Sequence, residues 1–230
     1  MAQSTAPLRR EWLRAAAVIR RHPMASLLPA AVLGAAADVL QLVGPDLVAQ
    51  VLLGIALAIA FELYVAYAER LLIEIERDDP RIEMRRMLAG ALAIFPPLLV
   101  ASLLGVTLPL AAGGLLVLPG LWLLTRWSLF APAIAREGLG AVDSLRRSAE
   151  LVRGRFWPVF GVVTVALLIE HGVIHASAHG AEPLLGSRVL GLLAAAIVVA
   201  AVSPFAAFTV SLVYDRLTRP SPPRPRHPPR

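Results

Sequence analysis

Residues 47–87 read LVAQVLLGIALAIAFELYVAYAERLLIEIERDDPRIEMRRM, and their two halves have opposite characters. The first half, to about Ala68, is an apolar run in which Glu62 is the only charged residue. The second half, from Glu69 to Met87, holds five arginines. A helix of about 20 apolar residues crosses the roughly 30 Å hydrocarbon core of a bilayer. The stretch therefore predicts a membrane span that ends in a basic segment at one membrane edge.

The composition extends this pattern to the whole chain. The 230 residues are 57% hydrophobic and 17% charged, with a mean hydropathy of +0.70, whereas soluble domains are about 45–50% apolar and about 25% charged. The absence of cysteine excludes disulfides and thiolate metal sites. A net charge of +6 could suit nucleic acid, but the basic residues flank apolar runs, as they do in membrane proteins. We therefore predict no nucleic-acid partner.

The apolar runs predict an all-α, polytopic integral membrane protein. Residues 1–23 form a basic N-terminal segment, residues 24–214 a bundle of six transmembrane helices, and residues 215–230 a disordered tail rich in proline and arginine. The predicted spans cover about residues 24–43, 47–68, 88–110, 115–135, 157–176 and 189–213.

The distribution of arginine predicts the orientation. Residues 1–23, 69–87, 136–156 and 214–230 hold five arginines each, and the three opposite turns together hold only Arg188. The positive-inside rule predicts that both termini are cytoplasmic, and we expect the membrane to be the inner membrane of a bacterium. A cleaved signal peptide ending near residue 37 is the alternative, but Pro29 interrupts its apolar core and the apolar run continues past that site.

A basic amphipathic helix is predicted between the fourth and fifth spans. Apolar residues recur from Val142 to Phe156 at spacings of 3, 4, 3 and 4, and charged residues occupy the other side of the helix. This pattern is typical of an interfacial helix in the headgroup plane, and equally of a cytoplasmic connector that packs on its neighbours. In the first interpretation, the residues that contact anionic lipid are Arg146, Arg147, Arg153 and Arg155.

Two ionisable residues inside predicted spans lie at similar depths. Glu62 is about fifteen residues into the second span and Arg126 about twelve into the fourth, so their depths agree within roughly 5 Å. Charges within a membrane are costly, and we predict that the two side chains form an intramembrane pair. The alternative is that Arg126 extends toward the interface and Glu62 is protonated.

A second polar cluster is predicted in the outer half of the membrane, where Asp38 of the first span and Glu170 and His171 of the fifth reach similar depths. His171, His175 and His179 recur every four residues, which places them on one helical face where imidazoles can ligate zinc. The alternative is that these histidines are polar residues of the membrane interface.

One part of the sequence resembles a known family. Residues 118–132 read LPGLWLLTRWSLFAP, and SLRRS and LVRGRFW follow at 144–148 and 151–157. These stretches resemble the membrane domain of glycerophosphoryl diester phosphodiesterases, and are similar to related bacterial six-span membrane proteins of unknown function. The resemblance implies fold, topology and membrane location. The phosphodiesterase activity of that family belongs to a separate soluble barrel, for which the 230 residues leave no room, so we do not expect it here.

Three functions remain open at this point. No nucleophile elbow, Walker loop, zinc-protease motif or dinucleotide fingerprint occurs in the sequence. We therefore favour a non-catalytic membrane module, without a cofactor, that interacts with anionic lipids, with a membrane partner protein or with further copies of itself. The alternatives are a small permease or channel subunit, suggested by the proline-rich third and fourth spans, and a membrane-embedded enzyme that acts on lipid headgroups.

Overall fold

The computed structural model describes residues 9–42, 47–77, 84–115, 117–170, 172–173 and 186–219. These residues form helices joined by short turns, with no strand among them. The helices, in chain order, are α1 (Arg9–Arg21), α2 (Pro23–Leu42), α3 (Leu47–Glu76), α4 (Met84–Leu115), α5 (Val117–Trp127), α6 (Phe130–Glu137), α7 (Ala141–Val152), α8 (Phe156–Glu170) and α9 (Arg188–Thr218). The prediction of an all-α fold is confirmed.

Three helices of the described residues are long and apolar enough to cross a membrane. They cover Leu47–Glu76, Arg85–Gly105 and Val189–Thr218, and α7 with α8 adds a fourth if that bent pair counts as one span. The apolar helices suggest a membrane-embedded protein. The three long helices correspond to the second, third and sixth predicted spans, and α2 contains a shorter apolar helix, Pro23–Ala36, at the position of the first.

The predicted fourth span is not a single helix. Leu115 ends α4, and residues 117–135 are divided between α5 and α6, with a turn at Ser128 and Leu129. Pro132 has no N–H group to donate to the Ser128 carbonyl four residues earlier, so one regular helical hydrogen bond is missing at this turn. The Ser128 hydroxyl instead donates to the Thr125 carbonyl at 2.9 Å. The apolar run thus forms two helices, with Pro132 in the first turn of the second, where a backbone N–H is not needed.

Close packing of α2 against α9 forms one side of the bundle. A Cβ atom added to Gly34 would lie 3.0 Å from the Ala196 Cα and 3.1 Å from the Val199 Cβ. Only a residue without a side chain allows the two backbones to approach so closely. Gly34 therefore sets the distance between α2 and α9.

The first helix packs on the bundle through its buried side. Ala15 is fully buried, and the Trp12 ring lies 6.3 Å from the Phe205 ring of α9. The Trp12 indole also donates to the Val162 carbonyl of α8 at 3.4 Å. The N-terminal segment predicted as basic thus contributes one side of α1 to the hydrophobic core beside α8 and α9.

Two glycines in the left-handed region set the direction of α7. Gly138 ends α6 with φ 69°, and Gly154 follows α7 with φ 77°, a conformation that residues with a side chain rarely adopt. After Gly154 the chain bends by 109° into α8. Phe156 therefore belongs to α8, and its predicted place on the apolar face of the preceding helix is wrong.

Candidate functional site

The arginine-rich stretches of the sequence meet at one end of the bundle. Arg216 of α9 pairs with Glu11 of α1 at 3.1 Å. Arg136 of α6 pairs with Glu76 of α3 at 2.7 Å and lies 4.0 Å from Asp215 of α9. Each of the four arginine-rich stretches (residues 1–23, 69–87, 136–156 and 214–230) thus contributes a residue to these ion pairs. We call this region the polar end and define it by Glu11, Glu69, Glu76, Arg136, Glu137, Arg147, Tyr214, Asp215 and Arg216.

Arg136 links three helices within the polar end. Only 16% of its side chain is exposed, and it donates through Nη2 to the Ser211 hydroxyl at 3.1 Å. Ser211 in turn donates to the buried carboxylate of Glu69 at 2.8 Å. Burial lowers the pKa of Arg136, but the hydrogen bond to Glu76 and the nearby carboxylates outweigh it, so the pKa is raised overall. Arg136 is therefore a permanent cation that holds α3, α6 and α9 together.

Glu137 joins α6 to α7 and α9. Arg147 donates to both of its carboxylate oxygens, at 3.0 and 3.1 Å, and the Tyr214 hydroxyl donates to it as well. Partial burial raises the pKa of Glu137, but the hydrogen bonds from Tyr214 and Arg147 outweigh it, so the pKa is lowered from its usual value. The predicted lipid contact Arg147 thus has a carboxylate partner within the protein.

The side of α7 away from the bundle carries charged side chains. Ser144, Leu145, Ser148 and Val152 are the buried residues of this helix. The Arg146 side chain is 75% exposed, at 3.5 Å from Asp143, and Arg153 is exposed where the helix ends. Arg155 is half-buried before α8. Three of the four arginines predicted to contact anionic lipid are therefore on or beside the accessible face of α7.

An apolar groove of about 360 Å³ lies between α1, α8 and α9. Arg20 is the one charged residue among those that line it. The groove is open along one side, and its walls are mostly hydrocarbon side chains, so it matches a lipid tail better than a polar ligand. The residues that line it are Ala16, Ile19, Arg20, Ile169, Ala201, Val202 and Phe205.

The structure does not bring the predicted intramembrane pair together. Glu62 accepts a hydrogen bond from the Ser102 hydroxyl of α4. The Arg126 guanidinium lies over the Trp122 ring, 4.9 Å from its centroid, where the ring quadrupole attracts a cation. Each side chain thus has a different neighbour, and the two form no ion pair.

The outer polar cluster is described only in part. The Glu170 side chain is 3% exposed at the end of α8. Asp38 lies in α2, but its side chain is outside the described residues, as are His171, His175 and His179. No group of three or more histidine or acidic side chains suited to a metal ion occurs among the residues that the structure describes. The predicted outer cluster and histidine site therefore stay predictions.

Hydroxyl groups at the break between α5 and α6 form contacts that the sequence did not reveal. The buried Ser148 of α7 accepts from the Leu129 backbone N–H at 3.0 Å and donates to the Arg126 carbonyl at 2.9 Å. The Thr125 and Thr164 hydroxyls lie 2.8 Å apart. The sequence signal for an irregular helix here was Pro132. This residue has no N–H group, so it leaves the Ser128 carbonyl without its helical donor. Which hydroxyl lies beside the break depends on the packing of α7.

Comparisons with known proteins gave no relatives for this chain. No family model matches it, and no curated protein and no solved structure has a significant match to it. The resemblance to the membrane domain of glycerophosphoryl diester phosphodiesterases therefore stays a prediction from the residues quoted above.

Proposed function

We propose that the protein is a non-catalytic, six-span module of a bacterial inner membrane that binds anionic lipids at its cytoplasmic face. The observation that carries the proposal is the geometry of α7. This helix is amphipathic, with exposed arginine on one side, and it meets the apolar helix α8 at 109°. If α8 crosses the bilayer, α7 lies close to the plane of the headgroups, where its arginines meet phosphates.

The contacts at the polar end support the proposed orientation. Segments with five arginines each converge there through ion pairs that join α1 to α9 and α3 to α6. One end at which residues of all four arginine-rich segments meet matches a single membrane side with both termini in the cytoplasm. The six spans then comprise α2, α3, α4, the broken pair α5 and α6, α8 and α9.

The apolar groove between α1, α8 and α9 supports binding of a whole lipid molecule. Its hydrocarbon walls suit an acyl chain, and the guanidinium of Arg20 suits a phosphate at the head of that chain. The resemblance to a phosphodiesterase membrane domain agrees with this role, since that domain is separate from the catalytic barrel of the family.

The proposal predicts that Arg146→Gln/Arg153→Gln weakens the binding of anionic lipid. Each arginine near an anionic surface contributes about 1 kcal/mol, so we expect an affinity about thirtyfold lower. The measurement is native mass spectrometry of the purified chain titrated with phosphatidylglycerol and, separately, with phosphatidylcholine. Binding of phosphatidylglycerol by the unchanged protein should also fall as salt increases.

The matched control is Arg77→Gln/Arg85→Gln. It removes the same charge from exposed arginines near the ends of α3 and α4. We expect it to bind phosphatidylglycerol like the unchanged chain. Equal losses in the two double variants would mean that net charge, and not α7, governs binding. No preference for phosphatidylglycerol over phosphatidylcholine would refute the proposal.

A small permease or channel subunit is the second candidate, favoured by the break between α5 and α6. Helices broken within a membrane often line substrate sites, and Arg126 lies two residues before the break. Flux through proteoliposomes that falls in Arg126→Gln would favour this candidate over the lipid-binding module.

A further inference from the structure

A second cavity lies at the polar end, between the start of α1 and the end of α9. It has a volume of about 190 Å³ and is partly enclosed. It is separate from the groove beside α8 and from the exposed face of α7. The residues that line it are Arg10, Glu11, Arg14, Asp215, Arg216 and Arg219.

The cavity has an excess of positive charge. Its four guanidinium groups and two carboxylates give a net charge of +2. A phosphomonoester or inorganic phosphate carries between about −1.5 and −2 at neutral pH, while a phosphodiester carries −1. The charge of the cavity therefore matches a terminal phosphoryl group better than it matches the diester of an ordinary phospholipid.

The two carboxylates hold three of the four arginines in place. Glu11 is 1% exposed and lies 3.1 Å from Nη1 of both Arg14 and Arg216. Asp215 pairs with Arg219, the residue that follows α9. An arginine that is fixed in this way loses less conformational entropy when it binds a ligand. The cavity is thus organised before any ligand arrives.

The guanidinium groups are also accessible. The Arg14 and Arg219 side chains are 55% and 63% exposed. A guanidinium carries five N–H donors in a planar fork that fits the oxygens of a phosphate. An arginine anchored to a carboxylate through one nitrogen can therefore still donate to a phosphate through another.

We propose that this cavity binds a terminal phosphoryl group, as found in free phosphate, in a soluble phosphomonoester or at the head of a lipid such as phosphatidic acid. Arg10 and Arg14 of α1 contact it from one side, and Arg216 and Arg219 of α9 from the other. The site uses none of the α7 arginines, so it can exist whether or not α7 binds lipid.

The test uses the purified full-length chain in a zwitterionic detergent. Inorganic phosphate is titrated in a calorimeter, and chloride at the same ionic strength is the reference. We expect saturable binding of phosphate with one site per chain. Arg10→Gln and Arg219→Gln should each weaken it about tenfold, and the double variant about a hundredfold, since the two side chains act from different helices.

A second titration identifies the source of the phosphoryl group. The chain in phosphatidylcholine nanodiscs containing phosphatidic acid is compared with nanodiscs containing phosphatidylglycerol at equal total charge. A preference for phosphatidic acid that Arg219→Gln abolishes indicates a lipid headgroup. Binding of inorganic phosphate without that preference indicates a soluble ligand. Both outcomes support the site.

Arg77→Gln is the control, because Arg77 is 66% exposed and lies outside the cavity. It should bind phosphate like the unchanged chain. Two outcomes would overturn the proposal. The first is that phosphate binds no better than chloride and phosphatidic acid no better than phosphatidylglycerol. The second is that the double variant Arg10→Gln/Arg219→Gln binds phosphate as tightly as the unchanged chain. Loss of phosphatidylglycerol binding in Arg146→Gln/Arg153→Gln tests α7 separately.

Discussion

Arg136 lies close to three acidic residues of the polar end. Glu76 accepts from it directly, Asp215 lies 4.0 Å away, and Glu69 is reached through Ser211. A buried charge that loses its partner costs several kcal/mol, because neither water nor a counterion replaces that partner. Arg136 therefore has a structural role that its sequence position, at the edge of an apolar run, does not reveal.

Replacing Arg136 by glutamine is expected to destabilise the protein by about 3–5 kcal/mol, since the carboxylates of Glu69 and Glu76 would lose their shared cation. Chemical unfolding in detergent, followed by circular dichroism, measures the effect. Arg77→Gln removes an exposed arginine that pairs with Glu74 within one helix, and should cost less than about 1 kcal/mol. Similar losses in the two variants would contradict this role.

The depth of a charged residue could be predicted from the sequence, but its partner could not. Glu62 and Arg126 were expected at similar levels because each helical residue adds about 1.5 Å. Whether two side chains meet depends also on the rotation of each helix about its axis, which apolar runs with little amphipathicity do not specify. Glu62 contacts Ser102, and Arg126 lies over Trp122.

At the scale of the helices, the contact between α2 and α9 depends on Gly34, which has no side chain. The atoms closest to the position of a Gly34 Cβ belong to the Ala196 backbone and to the Val199 side chain, at 3.0–3.1 Å. A backbone cannot rotate away as a long side chain can. Any larger residue at position 34 must therefore separate the two helices.

We expect Gly34→Ala to lower the free energy of unfolding by about 1–3 kcal/mol, the usual cost of adding a methyl group to a filled interface. The thermal midpoint of the purified protein measures the change. Gly161→Ala is the control, since a Cβ there would meet no atom within 4 Å. A Gly34→Ala protein as stable as the unchanged chain would mean that α2 and α9 are not closely packed.

The period of apolar residues predicted that α7 exists, but placed its buried face incorrectly. Leu145 and Val152 are buried as expected, whereas Val142 is 51% exposed and Ser144 and Ser148 are fully buried. A hydropathy pattern assigns serine to the solvent side. Ser148 is buried because it bonds to both sides of the break before α6, and that break depends on tertiary packing.

At the scale of the whole molecule, the sequence predicted which segments share one end. Four stretches of five arginines each were expected on one side of a membrane, and residues from all four meet at the polar end. The continuity of each span was less predictable, because α4 continues through Pro96 and Pro97 whereas the chain turns at residues 128–129, before Pro132.

The proposed orientation predicts the result of reporter fusions. Alkaline phosphatase is active only outside the cytoplasm, so it should be active when fused after residue 46 and inactive after residue 140. A fluorescent protein that folds only in the cytoplasm should give the opposite pattern. Activity of the same reporter at both positions would refute the arrangement of six spans with cytoplasmic termini.

The position of α1 also has a consequence for biogenesis. Glu11 pairs with a residue 205 positions later, and Trp12 donates to one 150 positions later. Because α1 is synthesised before α8 and α9, the surfaces that receive Trp12 and Glu11 do not yet exist when α1 leaves the ribosome. A nascent chain halted before α9 would therefore leave Glu11 without its partner Arg216 and α1 without its packing surface on α9.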